Sequence, residues 1–445
     1  MLMWQASLRG VDPLYCAAMS KTQTLMAENL NSGRGFTSNI QPPYERSITY
    51  MPGYPALLAL SLRIFNSYLP LIILQLLTLP VIGVLIFKIG SLFTKNDKFL
   101  LVVSGISMAE PGMWYYRGCI QAEAWFSLLF LLIVWFFLKF LNSRSLKDLC
   151  IVSFLIAATI YIKAVVMWLL LIPLAFLIYY LVVSKQYARY IKLIFFYLLI
   201  FVAVIVPWSL RNHYHFGTFR LTNAESYSFY LDAAPTILGM VENKSAADVR
   251  EEFYAGMPRT KAGRYRPGYD SLAADTYLKD KTIKVFTNYP LQSLRVFSTG
   301  VFNYFVKTEW AAFLERWDIA HPAQRPSRSL FGPGFGDGTS GFWEEAVGRF
   351  SCGWGCVVVN GAVFAGRFIW LLVTIFAFIG IFLLFKKGYK SQSIFFLLVI
   401  FYFALTYGLL SPTGTDRYRV LLVPILIFLA ALGIKFPNEA RKTVD

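Results

Sequence analysis

The chain has 445 residues, of which 57% are hydrophobic and 15% charged, and its mean hydropathy is +0.53. A soluble domain averages about 25% charged residues, so this composition excludes a large water-soluble core and describes an integral membrane protein. The formal charge of +17 does not mark a nucleic-acid binder, because no basic module interleaved with aromatics is present. In a membrane protein such a charge reflects cytoplasmic Lys and Arg anchoring and contact with anionic membrane lipid.

Five cysteines are present: Cys16, Cys119, Cys150, Cys352 and Cys356. Only the last two, in CGWGC, are close in sequence; they are either a disulfide on an oxidising face or small packing residues. A metal site needs about four ligands, and with 3 His in the chain none is expected.

Residues 1 to about 20 read as neither signal peptide nor span, since Arg9 and Asp12 interrupt their short apolar runs. From Asn29 to Leu60 the chain is polar, rich in Gly and Pro, and charged at Arg34, Glu45 and Arg46. Such backbone beside a membrane domain needs water or a partner for its polar groups, and loops held on a rigid scaffold are where chemistry sits. Met51 to Phe65 is apolar but too short to cross, and reads as a helix lying at the interface.

Apolar runs follow at 68–92, 98–110, 121–141, 148–162, 164–183, 190–208, 365–385, 391–410 and 418–434. Two of them, 98–110 and 148–162, fall short of the roughly 17 residues a span needs, yet the charges require both. Alternate connections carry Lys88, Lys95 and Lys98; Lys139, Arg144 and Lys147; Lys185, Arg189 and Lys192; Lys386, Lys387 and Lys390; and Lys435, Arg441 and Lys442. The intervening short turns hold only Arg117, Lys163, and Arg417 with Arg419. By the positive-inside rule the first set is cytoplasmic.

The expected fold is an all-α polytopic membrane protein with about nine transmembrane helices. Residues 1–67 would form a first extracytoplasmic loop, 68–208 an N-terminal bundle, 209–364 a large extracytoplasmic loop domain, 365–434 the C-terminal helices and 435–445 a cytoplasmic tail. No helix delivers the first loop across the membrane, so a preceding helix is expected to be missing. The 209–364 segment holds most of the acids. Its HPAQRPSRSLFGPGFGDGTSGFW stretch is not a nucleotide loop, for no strand precedes it and no helix N-terminus follows at the needed spacing. The chain also lacks the inverted repeat of secondary transporters.

The spans are nearly free of ionisable residues. Glu110, Arg117, Glu123, Lys163, Arg211, Arg417 and Arg419 instead fall at one level, the outer interface. Lys163 alone is equally well a snorkelling lysine, and Glu123 a carboxylate favoured by a helix N-terminus. Together, cations at that level can hold a phosphate and a carboxylate can take a proton from a hydroxyl.

The ordered series NLNSGRGF, PGYPALLAL, QAEAWFSLLF, PWSLRNHYHFGTF and RYRVLLVP resembles the GT-C membrane glycosyltransferases, in the branch of protein O-mannosyltransferases and aminoarabinose transferases. The similarity covers most of residues 27–434. It implies an outward-facing, inverting enzyme with a polyprenyl-phosphate sugar as donor and a lipid, glycan or protein as acceptor, without cofactor or metal. An acid in the first outer loop would be the base. The family's Asp position falls on Met19, beside Ser20, and Tyr50 and Met51 stand where some relatives have Glu-Lys. The base is then Asp12 or Glu45. By the same resemblance Arg46, Lys163, Arg211, Arg417 and Arg419 would hold the lipid phosphate, and Tyr54, Glu123, Asn212 and Tyr418 the substrates. The membrane would be the bacterial cytoplasmic one, with the C-terminus inside. An O-antigen ligase or polymerase, a transporter of glycan lipids and a catalytically degenerate family member are the competing expectations.

Overall fold

The computed structural model describes residues 18–224, 229–256, 272–316, 354–410 and 416–442. Among them every regular element is helical. The first described element is α1 (Ala18–Asn31), which hydropathy does not reveal because its composition is mixed, and after a loop comes α2 (Gly53–Phe65). Gly53 sits where a Cβ would meet the carbonyl oxygen of Tyr161, so only glycine lets the start of α2 rest on the chain leading to Lys163.

The apolar region is built from α3 (Leu69–Gly90), α4 (Asp97–Ala109), α5 (Pro111–Arg117), α6 (Glu123–Ser143) and α7 (Leu146–Ile162). A 3-10 turn, Ala164–Leu170, then runs into α8 (Leu171–Ser184), which is followed by α9 (Tyr187–Phe216). Beyond lie α10 (Ala234–Glu242), α11 (Ala246–Ala255), α12 (Leu272–Asn288), α13 (Pro290–Val306) and α14 (Trp310–Arg316). The chain ends in α15 (Trp354–Lys386), α16 (Lys390–Leu410) and α17 (Val423–Lys442). Each apolar run read from the sequence thus contains a helix, although the last, expected over 418–434, starts in turns and is an α-helix only from Val423. The run expected over 190–208 is the middle of a longer one, and α15 begins well before 365.

Among the described residues six helices are long and apolar enough to cross a membrane: α3, α6, the 3-10 turn with α8, α9, Val357–Lys386 of α15, and Lys390–Gly408 of α16. Their outer faces carry exposed apolar stripes at helical spacing, such as Ile191, Phe195, Leu199 and Val202 on α9. In water such a stripe would be a large aggregating patch; against acyl chains it costs nothing. The chain is an integral membrane protein.

The basic connections gather at one end of the bundle. Lys88 and Lys139 both lie over the Trp135 ring, and Lys139 pairs with Asp148 at 3.2 Å. Arg144 stacks on Tyr180 at 3.6 Å, Gln392 donates to Asn142, and Lys435 donates to Thr94. Two small residues set the tightest crossing, between α15 and α17. A Cβ at Gly380 would strike the Leu429 carbonyl, and one at Gly433 the Phe376 carbonyl. Where lipid offers no hydrophobic drive between helices, close backbone approach through small residues is what holds them together.

The described residues between 229 and 306 divide between two cores. The helices α10 to α12 and the first half of α13 enclose Leu231, Ile237, Phe253, Leu278 and Val296. The last turns of α13 leave that cluster and enter the core of the apolar bundle. There Tyr304 is buried, Val301 lies against the backbone face of Gly408, and the Phe305 ring meets Phe378 at 6.1 Å.

Candidate functional site

At the end of the bundle remote from the lysines, three elements bring charge to one point. Glu123 opens α6, Lys163 follows α7 in extended conformation, and Arg417 lies in the 3-10 turn Asp416–Tyr418 before α17. The Glu123 Oε1 meets the Lys163 ammonium at 3.0 Å and the Arg417 Nε at 3.1 Å. The side chains of Glu123, Arg417 and Lys163 are 5%, 12% and 19% exposed, so water screens this triad weakly. Two cations share one carboxylate, and a net positive charge remains.

Aromatic rings wall the triad. Arg417 donates to the Tyr418 hydroxyl at 2.7 Å, and the Lys163 ammonium lies 4.8 Å over the same ring. Tyr418 stacks on Tyr407 at 4.1 Å, and Tyr407 is parallel to both Tyr304 and Phe403. Burial opposes the charge of Arg417, but Tyr418 and then Glu123 outweigh it and hold the guanidinium above its ordinary range. The hydroxyls of Tyr304 and Tyr407, Gln121 Oε1 and Trp125 Nε1 are buried without a hydrogen-bond partner among the described residues. Each such atom costs about 1–3 kcal/mol. Of these, Tyr407 is stacked on Tyr418 and Tyr304 on Tyr407, so two neutral hydroxyls stand near the triad.

The turn that presents Glu123 is held from α3. Gln75 donates from Nε2 to the carbonyls of Arg117 (3.2 Å) and Cys119 (2.8 Å), and its Oε1 accepts the Tyr54 hydroxyl at 2.9 Å. Burial and then the Glu123 charge keep the Tyr54 phenol well above its ordinary value, so it is a neutral donor. Cys119, in the same turn, is disulfide-bonded, while Cys150 is free. Arg117 is fully buried and spends its guanidinium on Thr78, the Met113 carbonyl and Ser127.

The remaining expected site residues lie elsewhere. Arg211 donates to the Ser47 carbonyl at 2.8 Å and to Asn212, and Asn212 donates to the carbonyls of Arg220 and Leu221. With Phe36 edge-on to Trp208 at 5.3 Å and Thr222 bonded to the Thr49 carbonyl, these contacts bind the first loop to the end of α9. Arg46 folds back within that loop onto the Arg34 carbonyl. Glu45 is half-buried on the turn after Pro43. Arg419 caps a helix: its guanidinium donates to the carbonyls of Tyr304, Phe305 and Lys307 at the end of α13, and lies 3.9 Å over Trp370. Asp12 lies outside the described residues, as do the side chains of Cys352 and Cys356.

Of the expected residues, the fold therefore joins Glu123, Lys163, Arg417 and Tyr418, with Tyr54 behind them. Sequence reasoning missed Gln75, although a lone Gln in the run LPLIILQLLTLP was a readable signal. Tyr304 and Tyr407 gave none, being two among 26 Tyr.

Apolar stripes around a helical bundle, closed at one end by a buried ion triad, define a polytopic helical membrane protein. No protein-family model, curated protein or solved structure matches the chain.

Proposed function

We propose that this protein is a GT-C-type membrane glycosyltransferase that moves a sugar from a polyprenyl-phosphate donor to an acceptor hydroxyl at the extracytoplasmic face. The observation that carries the reading is the convergence of Lys163 and Arg417, from distant parts of the chain, on one buried carboxylate. A pair of cations left with surplus charge in a poorly screened setting suits a phosphate whose negative charge grows as the sugar leaves. Glu123, clamped between them, is a positioning group rather than the base. The base falls to the first loop, to Glu45 or Asp12.

The topology behind this reading counts α4, α7 and α17 as spans beside the six longer helices. That puts the triad and first loop outside and the lysine-rich end and C-terminus inside, in a bacterial cytoplasmic membrane. The disulfide of Cys119 supports this side, since disulfides persist in oxidising compartments.

The test is transfer of radiolabelled sugar from polyprenyl-phosphate donors in proteoliposomes. Lys163→Ala and Arg417→Gln are each expected to lower kcat/KM by about 100-fold, with Lys139→Ala at the opposite end unchanged. Wild-type protein that transfers from no polyprenyl-phosphate sugar would sink the proposal.

A further inference from the structure

Hydropathy places Pro290–Arg316 in an aqueous loop, but the contacts of Val301 to Phe305 place the end of α13 within the bundle. Phe378, which meets the Phe305 ring, stands only two helical turns, about 12 Å, from Lys386 at the basic end of α15. Thr374, whose hydroxyl reaches the Phe305 carbonyl at 3.5 Å, is about 18 Å from the same lysine. Val301, one turn before Phe305, lies at Gly408, about 27 Å from Lys390 along α16; in a hydrocarbon layer about 30 Å thick, the end of α13 therefore lies within the half remote from the lysines. The chain then turns at Lys307 and climbs. Thr308 packs at Gly366, about 30 Å from Lys386, and the Tyr116 hydroxyl bonds Glu309 at the start of α14.

From this we infer that α13 and the chain returning from it to α14 form a re-entrant hairpin, inserted from the face opposite the lysines into that leaflet, with the outward stripe of α13 against acyl chains. The stripe is Leu291, Leu294, Arg295, Ser298 and Phe302, all exposed. The neighbouring α16 also exposes Phe401 and Leu405. Arg295 stands about 15 Å above Phe305 along α13, at headgroup height. A helix ending inside a bilayer leaves carbonyls that no water can satisfy, and Arg419 supplies their donors. The bonding of that cation is thereby explained by the membrane rather than by a substrate. The inference rests on which end bears the lysines, and not on sugar transfer.

The experiment is spin labelling in liposomes, reading collisions with oxygen and with a water-soluble nickel chelate. Phe302→Cys is the probe and Asp280→Cys on α12 the aqueous reference; unsubstituted protein is labelled in parallel because Cys150 is free. The expected result at position 302 is loss of chelate collisions with oxygen collisions retained. Chelate access equal to that at position 280 would overturn the inference. Ser298→Cys, exposed one turn earlier, gives the same comparison should the first variant fold poorly.

Discussion

Glu123 is the residue on which most of the candidate site depends, and its two partners are not equivalent to surface cations. Truncating one member of a buried ion pair costs about 3–5 kcal/mol where the charge is left unpaired. Here the second cation remains, so Arg417→Gln is expected to destabilise by about 1–3 kcal/mol. Lys139→Ala, whose partner Asp148 has the more exposed lysine, should cost less than about 1 kcal/mol. Thermal unfolding of both variants in one detergent checks the contrast, and equal shifts would mean that the triad is as well solvated as the surface pair. The candidates Glu123, Lys163 and Arg417 were legible because charge is scarce in apolar sequence, which makes each exception visible. The bonds of Arg211 and Arg419 were not legible, because a guanidinium satisfies backbone carbonyls that only the folded chain brings to it.

Elements were read with uneven success, for one physical reason. Hydropathy reports the solvent a helix faces when that solvent is uniform along it, as for α3, α6 and α16. It fails for α1, which rests on α2, and for α13, which has one half in a polar helical cluster and the other in the bundle. Two tests belong at this scale. Gly380→Leu forces α15 from α17 and should cost about 1–3 kcal/mol, the range of core overpacking, or prevent stable insertion; the melting midpoint and yield in detergent report it. Arg211→Ala cuts a tie between α9 and the first loop. It should speed proteolysis within residues 32–52 in solubilised protein while leaving cleavage within residues 243–256 unchanged.

For the whole molecule, the arrangement of charge makes a prediction independent of the chemistry. Tyr214, 84% exposed in the last turn of α9, and Lys185, exposed after α8, lie at opposite ends of the bundle. With cysteine placed at each, an impermeant maleimide should label position 214 in intact cells and position 185 only after lysis, above the background of the unsubstituted protein. The reverse pattern would put the triad in the cytoplasm and remove the ground for a lipid-linked donor. The gathering of lysines at one end of the bundle was the part of the architecture most open to sequence, since lysine placement is written residue by residue; depth was the least, because it depends on which helices stand beside one another.

The re-entrant hairpin also constrains the order in which the protein is made. Its seat is formed by α15 and α16, and its last carbonyls are satisfied by Arg419, all of which follow it in the chain. While the ribosome is still decoding those helices, α13 has nowhere to dock and its Tyr304–Phe305 end must wait at the membrane surface or with a chaperone. Assembly is therefore completed from the C-terminus backwards. Nascent chains released before residue 419 should keep that segment open to protease after the earlier spans have become resistant.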